Sequence, residues 1–186
     1  MTSKALGPLL LTIAASTAGC ATAGTQARAP GEGHLTLTGG GAAHQLKIEG
    51  RELYGSRVNV SFLPDGYRGT IDNKHIVDLR PEGEDKILGS VAGGPTELYI
   101  EEGPSFLRVR GLYRGRVSSF FLTPNRFQGL VGDCSYTLWT RETEPGYTGG
   151  RACGRGAHFA RMTLPTAFHE RPAQERVAML TLLLGG

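Results

Sequence analysis

From Leu35 onward the chain consists of short runs in which apolar and polar residues alternate, separated by clusters of Gly, Pro, Asn and Asp. In one such run Val58, Val60 and Phe62 alternate with polar neighbours, which predicts a strand with one buried face and one solvated face. The runs recur roughly every ten residues, and this spacing is typical of consecutive antiparallel hairpins. The predicted strands are Leu35 to Thr38, Gln45 to Glu49, Arg57 to Leu63, His75 to Leu79, Lys86 to Val91, Glu97 to Ile100, Phe106 to Tyr113, Val117 to Leu122, Phe127 to Val131 and Ser135 to Trp139.

A glycine repeat supports the hairpin interpretation. Gly69, Gly89, Gly111 and Gly129 recur at intervals of 20, 22 and 18 residues, so each unit is a strand, a turn and a returning strand. Gly89, Gly111 and Gly129 lie inside predicted strands, and the repeat gives Gly69 the same position. A glycine there marks a bulge or a close approach between backbones. We therefore interpret these glycines as structural and not as ligand contacts.

The pattern changes near the C-terminus, where residues 172–184 contain good helix formers, begin with Pro172 and stop before Gly185. These features predict one helix. Its second half is apolar on nearly every side, so it should pack against the sheet or plug one end of a barrel. The predicted fold class is all-β, an antiparallel hairpin meander (barrel or sandwich) with one C-terminal α-helix, in a single domain over residues 34–186.

Composition and charge narrow the function classes. The 186 residues include 28 Gly and 10 Pro, below the level at which such chains are usually disordered. The formal net charge is only +3, which does not indicate a protein that wraps a polyanion. The apolar runs are too short for a membrane-spanning helix.

The N-terminus has the three-part layout of a secretory signal. Lys4 supplies a positive charge, Ala5 to Ala15 form a short apolar stretch, and small residues follow, so residues 1–19 are predicted to be a signal peptide. The segment Ala21 to Gly33 has no large apolar residue and cannot offset the entropy cost of packing, which predicts a flexible tether over residues 20–33.

The segment Thr17-Ala18-Gly19-Cys20 resembles the lipobox of bacterial lipoproteins, although Thr17 stands where Leu is usual. This resemblance implies that Cys20 becomes the acylated mature N-terminus and anchors the protein to a membrane through lipid. Ala21 after the cysteine implies outer-membrane sorting, facing the periplasm or the surface. The alternative is ordinary cleavage after Ala23, which satisfies the A-x-A rule and would release a secreted soluble protein.

Cys134 and Cys153 are then the two remaining cysteines, and an exported protein meets an oxidising environment. We expect them to form one disulfide, which in the chain-entropy model would stabilise the fold by roughly 3 kcal/mol. The intervening segment is rich in turn-forming residues and is expected to be a loop.

A catalytic alternative makes Cys134 or its neighbours Asp133 and Ser135 the reactive groups of a secreted hydrolase, with a histidine as base. We disfavour it because a second cysteine in that compartment would capture the thiol. The sequence has no CxxC or HxxxH spacing, so no metal site or cofactor is predicted. In the hydrolase alternative the candidate bases are His75, His158 and His169, of which His158 is the preferred one.

The densest chemical feature is an arginine-rich strand. Arg108, Arg110, Arg114 and Arg116 share a parity, so an unbroken strand would place all four on one face. Such a face suits phosphate or carboxylate groups. The alternative is a solvated face whose arginines pair with acidic residues on the neighbouring strand. Those acidic residues would be Glu97, Glu101 or Glu102.

Together these observations predict a lipid-anchored cell-envelope protein that acts as a non-catalytic binding or structural module. The expected partner is an anionic envelope component, such as a lipid head group or an acidic polysaccharide, or an acidic protein, and the predicted location disfavours nucleic acid. The alternatives are the hydrolase described above and an inhibitor or partner-binding protein that uses the arginine-rich strand.

Overall fold

The computed structural model describes residues 32–39, 42–154 and 156–185. The predicted signal peptide, Cys20 and residues 21–31 of the predicted tether lie outside the described residues. Gly33 already belongs to the first strand, one residue before the predicted start of the domain.

The fold is a closed barrel of fourteen strands in the described part of the chain. Every strand pairs antiparallel with its neighbours in sequence, and β14 pairs with β1 to close the sheet. The strands are β1 Gly33–Gly39, β2 Ala42–Glu49, β3 Glu52–Gly55, β4 Val58–Leu63, β5 Gly66–Ile71, β6 His75–Glu82, β7 Lys86–Val91, β8 Gly94–Gly103, β9 Phe106–Tyr113, β10 Arg116–Thr123, β11 Arg126–Val131, β12 Cys134–Arg141, β13 Glu144–Cys153 and β14 Gly156–Thr163.

The predicted all-β meander is confirmed, and of the two predicted forms the structure is a barrel. Four strands were not predicted, namely β3, β5, β13 and β14. β3 has only four residues, and β5 and β13 are interrupted by glycine, so none of the three shows enough alternation to stand out. β14 exposes Phe159 and buries Ala160, which reverses the expected relation between size and burial.

The segment between Cys134 and Cys153 was expected to be a loop, and this expectation is wrong. Residues from Glu144 form β13, which pairs with β12 along its length. Cys134 and Cys153 lie directly opposite each other at one end of this hairpin, with their Cα atoms 4.2 Å apart, and form the expected disulfide. The disulfide therefore joins two paired strands and does not clip a loop.

The C-terminal helix fills the barrel. A short helix α1, Thr166–His169, leads into α2, Ala173–Leu184, one residue shorter than the predicted span. Every residue of α2 from Val177 to Leu184 is at most 3% exposed, whichever way its side chain points. A helix buried on all sides must be surrounded, and the inward-facing residues of the strands supply the surrounding apolar layer.

The barrel has two distinct ends. At the entry end, where β1 begins, Gln174 of α2 donates a hydrogen bond to the carbonyl of Gly83 in the turn before β7, at 2.8 Å. At the far end, the Tyr136 hydroxyl donates to the carbonyl of Leu184 at 2.6 Å. Helix α2 therefore runs through the lumen from the entry end to the far end.

A ring of glycines lets the strands surround this helix. Each odd-numbered strand has one inward-facing glycine that lies close to the backbone of the preceding strand, which for β1 is β14. A Cβ added at any of these glycines would lie closer than 3.0 Å to a carbonyl oxygen of that preceding strand. The close approach predicted for the glycine repeat is thus observed, and the repeat extends to three further positions. The ring comprises Gly39, Gly55, Gly69, Gly89, Gly111, Gly129 and Gly149.

Candidate anion-binding wall

The structure divides the four predicted anion-binding arginines into two pairs. β9 ends at Tyr113, and Arg114 occupies a tight turn with φ of +56°. The unbroken strand needed to align all four side chains is therefore absent from this hairpin. Arg108 and Arg110 lie on β9 and face outward, whereas Arg114 and Arg116 lie at the far end.

The far-end pair is engaged within the protein. Arg114 donates a hydrogen bond to the carbonyl of Gly185 at 3.1 Å, where a positive charge complements the C-terminal end of helix α2. Arg116 forms an ion pair with Asp133 in the turn before β12. Both side chains therefore have partners at the far end of the barrel.

The outer pair belongs to a larger basic surface. We define the basic wall as the outward-facing side chains of β9–β12. Between Phe106 and Arg141 the chain contains six arginines and a single acidic residue, Asp133, which lies in a far-end turn. The strands of the basic wall themselves therefore carry no negative charge.

Two arginines of the basic wall lie over aromatic rings. The guanidinium carbon of Arg108 is 5.6 Å from the ring centre of Phe106 and 5.5 Å from that of Phe121. The guanidinium carbon of Arg126 lies 5.9 Å from the ring centre of Trp139. These cation–π contacts hold the guanidinium groups close to the sheet without neutralising their charge.

A shallow groove of about 250 Å³ crosses the basic wall. Arg110 lies at its edge, is exposed, and forms no ion pair with any described residue, whereas Arg108 pairs with Glu101 at 2.8 Å. The alternative interpretation expected the arginines to pair with glutamates of the neighbouring strand. Of the two outer arginines, Arg108 does so and Arg110 does not. Besides these arginines, the groove is lined by Ser119, Phe120, Phe121, Gln128 and Gly129.

The groove offers several donors in a small area. Arg110 is the register partner of Ser119 on β10, and Arg108 is the partner of Phe121, which in turn pairs with Gln128 on β11. Two guanidinium forks, a hydroxyl and an amide therefore project from adjacent strands. This set can bind a carboxylate or phosphate through charge-assisted hydrogen bonds.

The prediction from sequence missed Arg126, Gln128 and Trp139 as members of this surface. The signal in the sequence that points to this surface is the absence of acidic residues from Phe106 to Gly132. Assigning the side chains to one wall also requires the pairing register of four strands, which the alternation within each strand does not supply.

The proposed hydrolase residues do not converge in the structure. The Cys134 sulfur is bonded to Cys153, so no free thiol is available there. Ser135 faces outward and its hydroxyl donates to the carbonyl of Ala152 at 3.5 Å. Within the described residues no hydrogen bond joins His158 to Asp133 or Ser135.

A second polar cluster lies at the far end of the lumen. His44 faces inward beside Arg57 and Asp72, which form an ion pair with each other. Burial, followed by the positive charges of Arg151 and Arg57, lowers the pKa of His44. This environment favours the neutral imidazole, so protonation of His44 at low pH is unfavourable in the folded protein.

The entry end has a cleft of about 350 Å³ between two hairpin tips and the helices. Arg176 of α2 forms an ion pair there with Glu102. Burial and the charge of Arg176 lower the pKa of His169 beside it. The remaining cleft walls include Pro104, Phe106, Leu107, Leu122, Pro124 and Tyr147.

Comparison with protein families, curated proteins and solved structures gives no match. In the described part of the chain, no helix combines the length and apolar character needed to cross a membrane. Among the same residues, no three His, Cys, Asp or Glu side chains cluster closely enough to hold a metal ion.

Proposed function

We propose that the protein is a lipid-anchored, non-catalytic binding module of the cell envelope and that it binds an anionic envelope component through the basic wall. The observation that carries this proposal is the composition of β9–β12, whose outward faces present arginines without acidic residues on the same strands. Unpaired guanidinium groups on a folded surface attract anions.

The filled lumen supports an external binding site. Side chains of α2 and of the strands occupy the interior, and residues such as Leu180 and Phe127 are fully buried. A small molecule therefore has no through-channel to occupy in the described barrel. Binding is left to the outer wall and the two ends.

The export of the protein is supported by the signal-like N-terminus and by the disulfide, which is typical of oxidising compartments. β1 begins at the entry end, so a tether from Cys20 would join the barrel there. The basic wall lies on the side of the barrel and would remain accessible to an envelope component.

The anion-binding part of the proposal can be tested on an immobilised polyanion such as dextran sulfate. Arg110→Glu should lower the salt concentration needed for elution. The matched control is Arg80→Glu, which makes the same charge change at an exposed position of β6 on another part of the barrel. Equal shifts in both variants, or no retention of the unaltered protein, would contradict a localised site.

The anchor can be tested separately by labelling producing cells with radioactive palmitate. Label on the unaltered protein and its loss in Cys20→Ala would support lipidation. Label that persists in Cys20→Ala would contradict lipidation at Cys20, and no label at all would favour the secreted form cleaved after Ala23.

A further inference from the structure

The basic wall continues beyond the groove as a row of paired positions. Starting at Arg108, the register leads through Phe121, Gln128 and Thr137 to Gly150 on β13. Gly150 in turn pairs with Phe159 on β14. This row crosses six strands, and with strands about 4.8 Å apart it spans about 24 Å.

On β13 the row contains a glycine, so no side chain covers the sheet there. A Cβ added at Gly150 would meet no atom within 4 Å, so the sheet is bare at this position. Phe159, the register partner of this glycine on β14, is 60% exposed, and Trp139, two residues beyond Thr137 on the same face, is 47% exposed. Aromatic side chains are enriched at binding surfaces relative to the rest of a protein's surface.

The chemistry of the row alternates between rings and polar groups. Between Phe121 and Phe159 the row holds an amide, a hydroxyl and a bare glycine, so its rings form no continuous apolar patch. The centre of a protein interface is usually more apolar and better packed. Sugars, in contrast, combine C–H faces that pack on rings with hydroxyls that need hydrogen-bond partners.

We infer that the ligand of the basic wall is an acidic polysaccharide that lies across strands β9–β14. Arg110, assisted by Arg108 whose guanidinium also contacts Glu101, binds a carboxylate of one sugar residue in the groove. Trp139 and Phe159 pack against sugar rings farther along the chain. This inference rests on the proposed anion-binding function and adds the ligand class and its direction on the barrel.

Calorimetric titration with oligogalacturonates of two lengths, a disaccharide and an octasaccharide, tests this inference. The octasaccharide should bind at least about tenfold more tightly than the disaccharide. Trp139→Ala and Phe159→Ala should each remove most of this gain while leaving disaccharide binding unchanged. The matched control is Ile76→Ala, which removes an exposed apolar side chain from β6 and should change neither affinity.

The outcomes separate the two proposals. If both oligomers bind equally and binding requires Arg110, the polysaccharide inference is wrong and the anion-binding function stands. If neither oligomer binds but dextran sulfate is retained through Arg110, the inference also fails while the function survives. If poly-glutamate of matched charge binds as tightly as the octasaccharide, an acidic protein is the better partner and the inference is overturned. Unchanged thermal midpoints show that the variants remain folded.

Discussion

Two tyrosines near the end of helix α2 have opposite hydrogen-bonding environments. The hydroxyl of Tyr136 donates to Leu184, whereas the buried hydroxyl of Tyr113 has no partner among the described residues. Burial raises the pKa of both side chains, so each remains protonated at neutral pH. The two residues therefore form a matched pair for measuring what a buried hydroxyl contributes.

We predict that Tyr113→Phe raises the free energy of unfolding by about 1 kcal/mol, because it removes an unpaired buried hydroxyl. Tyr136→Phe should lower it by about 1–2 kcal/mol, because a carbonyl at the helix end loses its donor. Urea denaturation of both variants measures these changes. A loss of stability in Tyr113→Phe as large as that in Tyr136→Phe would contradict the assignment.

His44 predicts a dependence of stability on acidity. Its pKa is lowered in the folded protein, so the unfolded chain takes up a proton first as the pH falls. Above pH ~6.5 neutral His44 makes its full contribution to the free energy of unfolding, and this contribution is lost as the pH falls below that value. We expect the free energy of unfolding to decrease from pH ~7 to pH ~5, and to decrease less in His44→Gln. Identical slopes for the two proteins would show that His44 is not responsible.

At the scale of single elements, the inward glycines control how closely neighbouring strands approach. Gly89 has φ of +143°, and a Cβ there would collide with the carbonyl oxygen of Asp78. We predict that Gly89→Ala lowers the free energy of unfolding by at least about 2 kcal/mol through backbone strain and the displaced strand. Thermal unfolding followed by circular dichroism measures this loss.

Gly150→Ala is the control for this substitution. It also lies within a strand, but an added methyl group meets open space. Its thermal midpoint should stay close to that of the unaltered protein. If Gly89→Ala were equally well tolerated, the proposed role of the glycine ring would be wrong.

The sequence predicted strands where polar and apolar residues alternate, and it failed where glycine interrupts that alternation. The repeat at Gly69, Gly89, Gly111 and Gly129 was visible because its spacing is nearly regular. Gly39 and Gly55 were missed because the hairpins near the N-terminus are shorter. Closure of the barrel through β14 and β1 depends on long-range pairing that no local pattern records.

At the scale of the whole molecule, the barrel and its helix should unfold together. Leu180 is fully buried in the lumen, and Trp139, the single tryptophan, lies on the outer wall. Leu180→Ala should cost about 3 kcal/mol. It should shift the midpoints measured by tryptophan fluorescence and far-ultraviolet circular dichroism equally, because the sheet has no core without the helix. Separate transitions would contradict a single cooperative unit.

Only part of the candidate site could be predicted from the sequence, because its side chains come together only when the whole sheet closes. The sequence identified Arg108 and Arg110, but a turn at Arg114 separates them from Arg116. Trp139 and Phe159 join the same surface through the register of six strands, and that arrangement arises only when the sheet closes. Binding surfaces on a barrel wall are assembled from residues distant in sequence.

The most direct test of the basic wall is the mapping of backbone amide chemical shifts during titration with the octagalacturonate. The perturbed amides should cluster in β9–β12, between Phe106 and Arg141, and continue to Phe159 on β14, and the indole N–H of Trp139 should shift with them. Amides of β2–β6 should remain unchanged. Perturbations concentrated on β2–β6 or at either end of the barrel would contradict the account of the basic wall, and no perturbation at the highest soluble concentration would contradict the polysaccharide ligand.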